Sequence, residues 1–350
     1  MRRILLLLYL CLTMVVIVQA DEFETVTLCN AQGTMKMCVM NFGARIQTLE
    51  YQGQDMVLGF DTLKHYKEKK QNFGAVVGRY IGRIVGGRFT LDGKEYILQG
   101  GEKNRDCSHG GTPGFSQQFW EFTEKNDSSV TLKFVSPDGE NGFPGELTLF
   151  VKYTLSCSAL RIDYKATTTH ATILNPSNHS FFNLTGKLGT DILSDVLWIN
   201  SDSVALYNDK KQVTGQLGGV NETPFDFRVP TSIGRRIDDD CTQLKVTKGY
   251  DHCYLLNTLG NLSVPAARIY SPASGVTMEV FTTEPAMQIY TANSHNGSLI
   301  GKDAVPYPRR NAICFETMHL PDSPNQPQWP STVLRPEEEF KSTTIFRFHK

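Results

Sequence analysis

Short runs rich in Val, Ile, Thr, Phe and Tyr, separated by turn pairs, limit the fold of this chain more than any other feature. In the run 88–98, Asp92 and Gly93 stand between two apolar stretches, which is the pattern of a β-hairpin. Helical patterns are few, with one short candidate at 65–71, and no βαβ alternation is visible. Further strands are predicted at 130–135, 147–155, 160–168, 276–283, 312–317 and 343–348. The sequence therefore predicts an all-β protein, built as one large β-sandwich.

The first twenty residues have the pattern of a secretory signal peptide. Met1-Arg2-Arg3 is followed by the apolar run 4–18 and by Ala20 before an acidic stretch. The apolar run is short for a membrane span, although an uncleaved signal anchor stays open as the alternative. We predict cleavage after Ala20, a secreted or extracellular protein, and no membrane association after cleavage. No linker or internal repeat divides the rest, so residues 21–350 are predicted to form a single domain.

The cysteines and the glycosylation motifs are also relevant to the predicted secretion. Seven of the eight cysteines would remain after cleavage, and Cys29 and Cys38 flank a turn-like segment. A disulfide across that hairpin is one interpretation, and two small buried hydrophobic side chains is the other. Asn178 and Asn183 lie in a candidate active-site segment, where a glycan would not fit. The six acceptor motifs begin at Asn126, Asn178, Asn183, Asn221, Asn261 and Asn296.

Several function classes are excluded by charge and motif content. The net charge is -1, with Lys and Arg scattered, so no nucleic-acid partner is expected. The sequence has no Gly-x-Ser-x-Gly elbow, phosphate-binding loop, His-Glu-x-x-His or Cys-x-x-Cys motif. Its histidines show no paired ligand spacing, so neither a metal nor another cofactor is predicted.

Three basic residues stand in Gly-rich or aromatic segments. Arg83 lies in the Gly-rich stretch 78–87, where a guanidinium would offer donors to a ligand, or would simply be a surface group on a Gly-rich strand. His109 precedes two glycines in a turn, which suits either a functional or an exposed loop residue. His179 runs directly into Phe181-Phe182, so its ring is either satisfied within the core or positioned for proton transfer.

Three acidic or amide residues lie on predicted strands. Asp251 and Gln288 have aromatic neighbours, as in sugar sites, where aromatic faces cover C–H surfaces and polar groups bind hydroxyls. Polar residues on an edge strand are the simpler interpretation of each. Glu316 ends the apolar run 312–317, where it is either an exposed strand-end acid or a general base whose pKa burial raises.

Together and in this order, these segments resemble the aldose 1-epimerase family over nearly all of the chain after residue 20. The resemblance is carried by Asn-Pro-Ser-Asn-His-Ser-Phe-Phe-Asn-Leu at 175–184, Ser-His-Gly-Gly at 108–111, Tyr-Asp-His at 250–252, Gln-Ile-Tyr-Thr at 288–291 and the tail 316–327. It implies a large antiparallel β-sandwich of the galactose mutarotase-like supersandwich type. It also implies an isomerase that interconverts the α and β anomers of free hexoses such as glucose and galactose.

The resemblance also implies residue roles. It places the general base on Glu316 and the general acid on His179, with Arg83, His109, Asp251 and Gln288 as sugar-binding residues. It implies a monomer whose partner is a small aldose sugar. Two positions depart from many relatives: Gly82 stands where Asn is common, and Met318 where Gln is common, so sugar preference is in doubt.

Two other functions are weighed against this one. The first is a secreted carbohydrate-binding protein without turnover, which would have no use for the Glu316 and His179 pair. The second is a hexose-6-phosphate 1-epimerase, which would need a basic cluster at the pocket rim. Arg79 and Arg83 alone do not establish such a cluster.

Overall fold

A computed structural model describes residues 23–69 and 71–350 of the chain. The predicted signal peptide at 1–20 lies outside these residues. Within them, no helix combines the length and apolar character that crossing a membrane requires.

The first half of the described chain is built almost entirely of strands. One helix, α1 (Leu63–Lys69), interrupts them. The strands are β1 (Thr25–Cys29), β2 (Met35–Met40), β3 (Arg45–Tyr51), β4 (Gln54–Asp55), β5 (Ala75–Val77), β6 (Arg83–Ile84), β7 (Arg88–Leu91), β8 (Lys94–Ile97), β9 (Cys107–Ser108), β10 (Glu121–Lys125), β11 (Ser129–Ser136), β12 (Leu147–Leu155) and β13 (Ala159–Thr168).

The second half continues in the same way around one further helix, α2 (Thr242–Thr247). The strands are β14 (Thr172–Ile173), β15 (Ser177–His179), β16 (Val196–Ile199), β17 (Ser203–Tyr207), β18 (Val213–Gly219), β19 (Thr231–Ser232), β20 (Asp251–Leu255), β21 (Ala267–Tyr270), β22 (Thr277–Thr282), β23 (Ala286–Tyr290), β24 (Cys314–Met318), β25 (Val333–Leu334) and β26 (Phe340–His349). Short 3-10 turns occupy Val85–Gly87, Gly101–Lys103, Phe115–Gln117, Glu140–Gly142, Ile233–Arg235, Lys302–Ala304 and Ser323–Asn325.

Three sheets form the layers of the molecule. The largest has nine strands in the order β10-β11-β12-β13-β26-β22-β21-β16-β19. A four-stranded sheet, β1-β2-β3-β4, and a five-stranded sheet, β18-β17-β20-β23-β24, are the other two. Four two-stranded ladders, β5 with β15, β6 with β9, β7 with β8 and β14 with β25, complete the described pairings. The predicted antiparallel β-sandwich is confirmed.

The main core lies between these sheets. Along β12 every second residue from Leu147 to Leu155 is buried, so one face of the nine-stranded sheet is apolar. Tyr254, Met287 and Phe315 of the five-stranded sheet belong to the same buried cluster. Each aliphatic side chain removed from water here stabilises the fold by roughly 1.5–3 kcal/mol. Because side chains alternate along a strand, the five-stranded sheet turns its other face away from this core.

The predicted elements agree closely with the observed ones where alternation was strong. β12 has the predicted bounds, and the hairpin at 88–98 is formed by β7 and β8. The predicted helix at 65–71 is α1, which begins two residues earlier. The sequence did not predict α2, whose six residues include two β-branched threonines and a valine.

The predicted disulfide between Cys29 and Cys38 is wrong, because both are free thiols in the structure. In the β1–β2 ladder Cys29 faces Lys36 and Cys38 faces Thr27, so the two cysteines are diagonal neighbours rather than a facing pair. Diagonal neighbours lie about 7–8 Å apart, at or beyond the limit for a disulfide. The alternative also fails, since Cys29 is exposed and Cys38 only partly buried.

Candidate active site

The five-stranded sheet lines up a row of polar side chains on the face opposite the core. In the antiparallel register Cys253 of β20 faces Gln288 of β23, which in turn faces Glu316 of β24. Facing residues of a ladder project from the same side of the sheet. Because Met287 and Phe315 point into the core, the alternation places Gln288 and Glu316 on the other side.

His179 reaches Glu316 from a separate ladder. It is the last residue of β15, and the backbones of Phe182 and Ile313 exchange hydrogen bonds of 2.8 and 2.9 Å just beyond. This bridge brings the end of β15 alongside β24. His179 Nε2 lies 3.3 Å from Glu316 Oε1, and both side chains are almost fully buried. The imidazole stacks on Phe181, with ring centroids 5.0 Å apart, so its orientation is fixed.

A second histidine ring, that of His109, lies against this pair. His109 follows β9, and its backbone N–H donates to the carbonyl of Gly82. The N–H of Gly82 donates to His109 Nδ1 at 3.4 Å, so the neutral ring carries its proton on Nε2. The His109 and His179 centroids are 5.8 Å apart. The turn after His109 packs tightly against the backbone of Gly78, since a Cβ on Gly110 would lie 1.9 Å from the carbonyl oxygen of Gly78.

Asp251 and Gln288 form a second hydrogen-bonded group. Gln288 Nε2 donates to Asp251 Oδ1 at 2.7 Å, and the hydroxyl of Tyr207 donates to Gln288 Oε1 at 3.3 Å. The amide is therefore held from both ends. Asp251 Oδ2 makes no hydrogen bond of its own among the described contacts, which leaves a carboxylate oxygen available to a ligand hydroxyl.

Arg83 supplies the cationic edge of the site. It pairs with Ser108 in the β6–β9 ladder, which sets it beside His109. The guanidinium of Arg83 lies 3.6 Å from the carboxylate of Asp106, and 44% of the Arg83 side chain is exposed. Arg79 lies elsewhere: it is buried, and its guanidinium donates to Ser136 and to the carbonyls of Pro137 and Pro144. Arg79 thus supports the fold and adds nothing to the basic character of the pocket rim.

Burial shifts the proton affinities of the groups that meet here. It lowers the pKa of His179 to about 3, with a smaller contribution from His109. It lowers the pKa of His109 to about 4, with help from the charge of Arg83. Burial also raises the pKa of Glu316 well above its usual value, and Asp251 adds to this shift. Burial therefore favours neutral histidines and a protonated Glu316.

All six predicted site residues line one cavity of about 280 Å³. The two departures from the resembling family, Gly82 and Met318, line it as well. A Cβ at Gly82 would lie 3.4 Å from the Met318 side chain, so the two positions share one patch of the wall. Sequence reasoning missed several other lining residues, namely Gln71, Asn72, Ser108, Phe181, Tyr207, Lys211, Tyr290, Ser294 and His295.

A ligand set for a metal ion stands at the wall of this cavity: His179 and Glu316 line it, and Cys314, which is not a lining residue, lies close to both. Within the described parts of the chain, His179, Cys314 and Glu316 each offer one ligand atom, and these atoms lie within 4.8 Å of one another. Cys314 stands two residues before Glu316 on β24, and its Sγ is 3.6 Å from His179 Nδ1. The spacing of residues 179, 314 and 316 gave no signal for this cluster, because the fold alone brings them together.

Comparison with known proteins gives a consistent result. The sequence model of the family described as aldose 1-epimerase matches residues 24–347. The chain is 38% identical to human galactose mutarotase over 319 residues, covering 90% of this chain and 91% of that protein. It is 34% identical to the aldose 1-epimerase of Escherichia coli K12 over 336 residues, covering 94% and 96%.

Solved structures agree on the fold. A galactose 1-epimerase from Lactobacillus acidophilus has a TM-score of 0.80 at 27% identity, over 94% of this chain and 98% of that one. An aldose epimerase homologue from C. elegans has a TM-score of 0.85 at 24% identity, over 94% and 99%.

Proposed function

This chain belongs to the aldose 1-epimerase family and is an isomerase that interconverts sugar anomers; we propose that Glu316 and His179 carry the reaction, on free hexoses such as glucose and galactose. The observation that supports this proposal most strongly is the buried contact of 3.3 Å between His179 Nε2 and Glu316 Oε1. An acid and a base meet there, at the wall of a cavity whose other polar groups suit a sugar.

The chemistry requires such a pair. Opening a cyclic hemiacetal removes the proton from O1, breaks the C1–O5 bond and delivers a proton to O5. The open-chain aldehyde then rotates about C1–C2 and closes with its other face, while the two proton transfers run backwards. No proton or electron is gained or lost overall, so one acid and one base complete the cycle.

The position of the proton decides when the pair is active. Burial by itself places the single proton of the pair on Glu316, because it raises the pKa of Glu316 and lowers that of His179. A bound sugar adds hydrogen bonds that favour the ionised form: O1–H donates to the carboxylate, and O5 accepts from the imidazolium. We propose that substrate binding moves the proton from Glu316 to His179, after which Glu316 is the base and His179 the acid.

The remaining polar groups hold the ring in place. Asp251 would accept hydroxyl protons in charge-assisted bonds, with Gln288 fixing its carboxylate. Neutral His109 would donate from Nε2 to a sugar oxygen, and Arg83 would bind an oxygen near it. Aromatic rings in the lining, such as Phe181 and Tyr290, offer faces for C–H surfaces. These contacts position the reacting atoms, which is where the catalytic gain of such a site arises.

Polarimetry tests the proposed substrates directly. Freshly dissolved α-D-glucose and α-D-galactose should reach their equilibrium rotation faster with the protein than with buffer alone. Methyl α-D-galactoside has no O1 proton, so it should show no change of rotation and should inhibit competitively. Failure to accelerate either free hexose, with the protein shown to be folded, would contradict the proposed substrates.

A further inference from the structure

Cys314 joins His179 and Glu316 of the cavity wall in a cluster whose chemistry mutarotation does not use. Cys314 is fully buried, projects from β24 on the same side as Glu316, and lies 3.6 Å from His179. Anomer interconversion needs one acid and one base, so it assigns no role to this thiol. A thiol, an imidazole and a carboxyl group in contact are also a familiar set of metal ligands.

The distances suit a single ion. Bond lengths of about 2.0–2.3 Å to tetrahedral Zn²⁺ place neighbouring ligand atoms about 3.3–3.8 Å apart. His179 Nε2 makes the 3.3 Å contact to Glu316 and His179 Nδ1 makes the 3.6 Å contact to Cys314, so a single ion would use only one of these nitrogens. With one ligand atom from each residue, the whole set lies within 4.8 Å. The required contraction is about 1 Å, which rotations of the Cys314 and Glu316 side chains would supply while the His179 ring stays in place.

The charges suit the ion as well. A thiolate and a carboxylate balance the two positive charges of the metal, and a neutral imidazole adds none, so the complex is electroneutral. Electroneutrality matters because Cys314 and Glu316 are both buried, where an unbalanced charge is costly. The cavity side remains open for a fourth ligand such as water.

We propose that His179, Cys314 and Glu316 form a binding site for a soft divalent cation such as Cd²⁺ or Zn²⁺, and that the bound cation inhibits the enzyme. A metal on His179 and Glu316 occupies the nitrogen and oxygen lone pairs that would move the sugar protons. The metal site rests on the geometry alone, whereas the inhibition rests on the proposed function. Because the bound cation would occupy the acid–base pair itself, it would act as an inhibitor and not as a cofactor.

Cd²⁺ is the probe, because a cadmium–thiolate bond absorbs in the ultraviolet by charge transfer, independently of any turnover. Exposed thiols, including Cys29 and Cys157, are first blocked with iodoacetamide. Cd²⁺ is then titrated into the full mature protein while absorbance and mutarotation of α-D-galactose are followed in parallel. We expect absorbance that saturates at one equivalent, with mutarotation lost over the same range and restored by EDTA.

Three variants make the assignment specific. Cys314→Ala and Cys314→Ser should abolish the saturable absorbance and raise the Cd²⁺ concentration for half inhibition by at least about tenfold, the loss of one ligand. Cys107→Ala removes another buried thiol, which packs in a separate core cluster, and should behave like wild type. Undiminished absorbance in folded Cys314→Ala overturns the site, and full mutarotation at saturating Cd²⁺ overturns the inhibition. Saturable absorbance in a wild type that turns over no sugar upholds the site and contradicts the proposed function.

Discussion

At the scale of single residues, the site depends on how burial distributes protons and hydrogen bonds. Asp251 is the acidic residue proposed to hold the sugar, and the amide of Gln288 fixes it at 2.7 Å. Asp251→Asn keeps the shape and removes the charge from the proposed bonds to hydroxyls. Hydrogen bonds to charged groups contribute about 1.5–3 kcal/mol, so KM should rise roughly tenfold to a hundredfold while the protein stays folded.

Polarimetric kinetics over a range of galactose concentrations measures this effect. Asp202→Asn, which changes a carboxylate that is 65% exposed and ion-paired with Arg228, is the matched control and should leave KM unchanged. An Asp251→Asn enzyme with wild-type KM would remove Asp251 from the proposed binding role.

The pH dependence of the reaction follows from the same burial. The lowered pKa of His179, about 3, and of His109, about 4, keep both rings neutral well below the usual histidine range. The raised pKa of Glu316 keeps the proton of the pair in place above the usual range of glutamate. Between these two limits the pair holds one proton, and it loses that proton as the pH rises through the raised pKa of Glu316.

We expect kcat/KM, which reports on the free enzyme, to show no rise across the usual histidine range and to fall as the pH rises through the raised pKa of Glu316. The measurement is polarimetry across pH, with the spontaneous rate subtracted at each value. A rise of kcat/KM centred near pH 6.5 would mean that an ordinary histidine controls the reaction and would contradict this picture.

At the scale of elements, the site is assembled from short ladders that one asparagine joins. The Asn175 side chain accepts from the backbone N–H of His319 at 2.9 Å and donates to its carbonyl at 3.1 Å. Its own backbone bonds with Arg79 and Ile81 on the segment that leads to Arg83. Asn175 thus connects the end of β24, which carries Glu316, to the strand that carries Arg83.

Asn175→Ala should lower the free energy of unfolding by roughly 1–3 kcal/mol, since two backbone groups of His319 lose their partner. It should also lower kcat severalfold, because β24 and β6 lose their common anchor. Urea unfolding and polarimetry measure the two effects. Asn257→Ala, at an exposed asparagine bonded to Asp202, is the control, and an Asn175→Ala protein with unchanged stability and kcat would argue against the connection.

The length of a strand decides whether the sequence could predict it. Strands with strict alternation, such as β12 and β13, were predicted within about a residue because their buried face is recorded in every second side chain. The site ladders β5, β6, β9 and β15 have only two or three residues each, too few for a periodic pattern. Their positions depend on tertiary pairing, and the resemblance to a family was needed to place His179 opposite Glu316.

The sequence did not predict the register of the β1–β2 hairpin. Cys29 and Cys38 flank a turn, but the hairpin pairs Cys29 with Lys36, two residues away from the predicted partner. The closeness of Cys314 to His179 was missed for a related reason, since the two residues lie 135 positions apart and meet only through β24 and β15.

At the scale of the whole molecule, the six glycosylation motifs fall into two groups according to whether the asparagine is buried or exposed. Asn178 and Asn183 are buried, and their amides donate to the carbonyls of Gly74 and Asn311. The exposed group consists of Asn126, Asn221, Asn261 and Asn296. If the chain is secreted, as its first twenty residues predict, glycans belong on the exposed group alone.

Expression in a glycosylating host, followed by enzymatic deglycosylation and peptide mass spectrometry, tests both proposals. The protein should begin at Asp21, and the asparagine-to-aspartate conversion that marks a removed glycan should occur only at exposed sites. A glycan at Asn178 would contradict the burial of β15, and a retained residue such as Leu5 would contradict cleavage after Ala20.

We propose that Glu316 and His179 act as one unit that shares a proton across 3.3 Å. The polarimetric rates of wild type, Glu316→Gln, His179→Asn and the double variant, all confirmed as folded, test this proposal. General acid–base groups contribute about 10²–10⁴-fold each, and groups that act as a unit are not additive. We predict that each single variant loses at least about a hundredfold, and that the double variant is no slower than the slower single. A single variant that retains more than about a tenth of the wild-type rate, or losses that multiply in the double variant, would contradict the shared-proton mechanism.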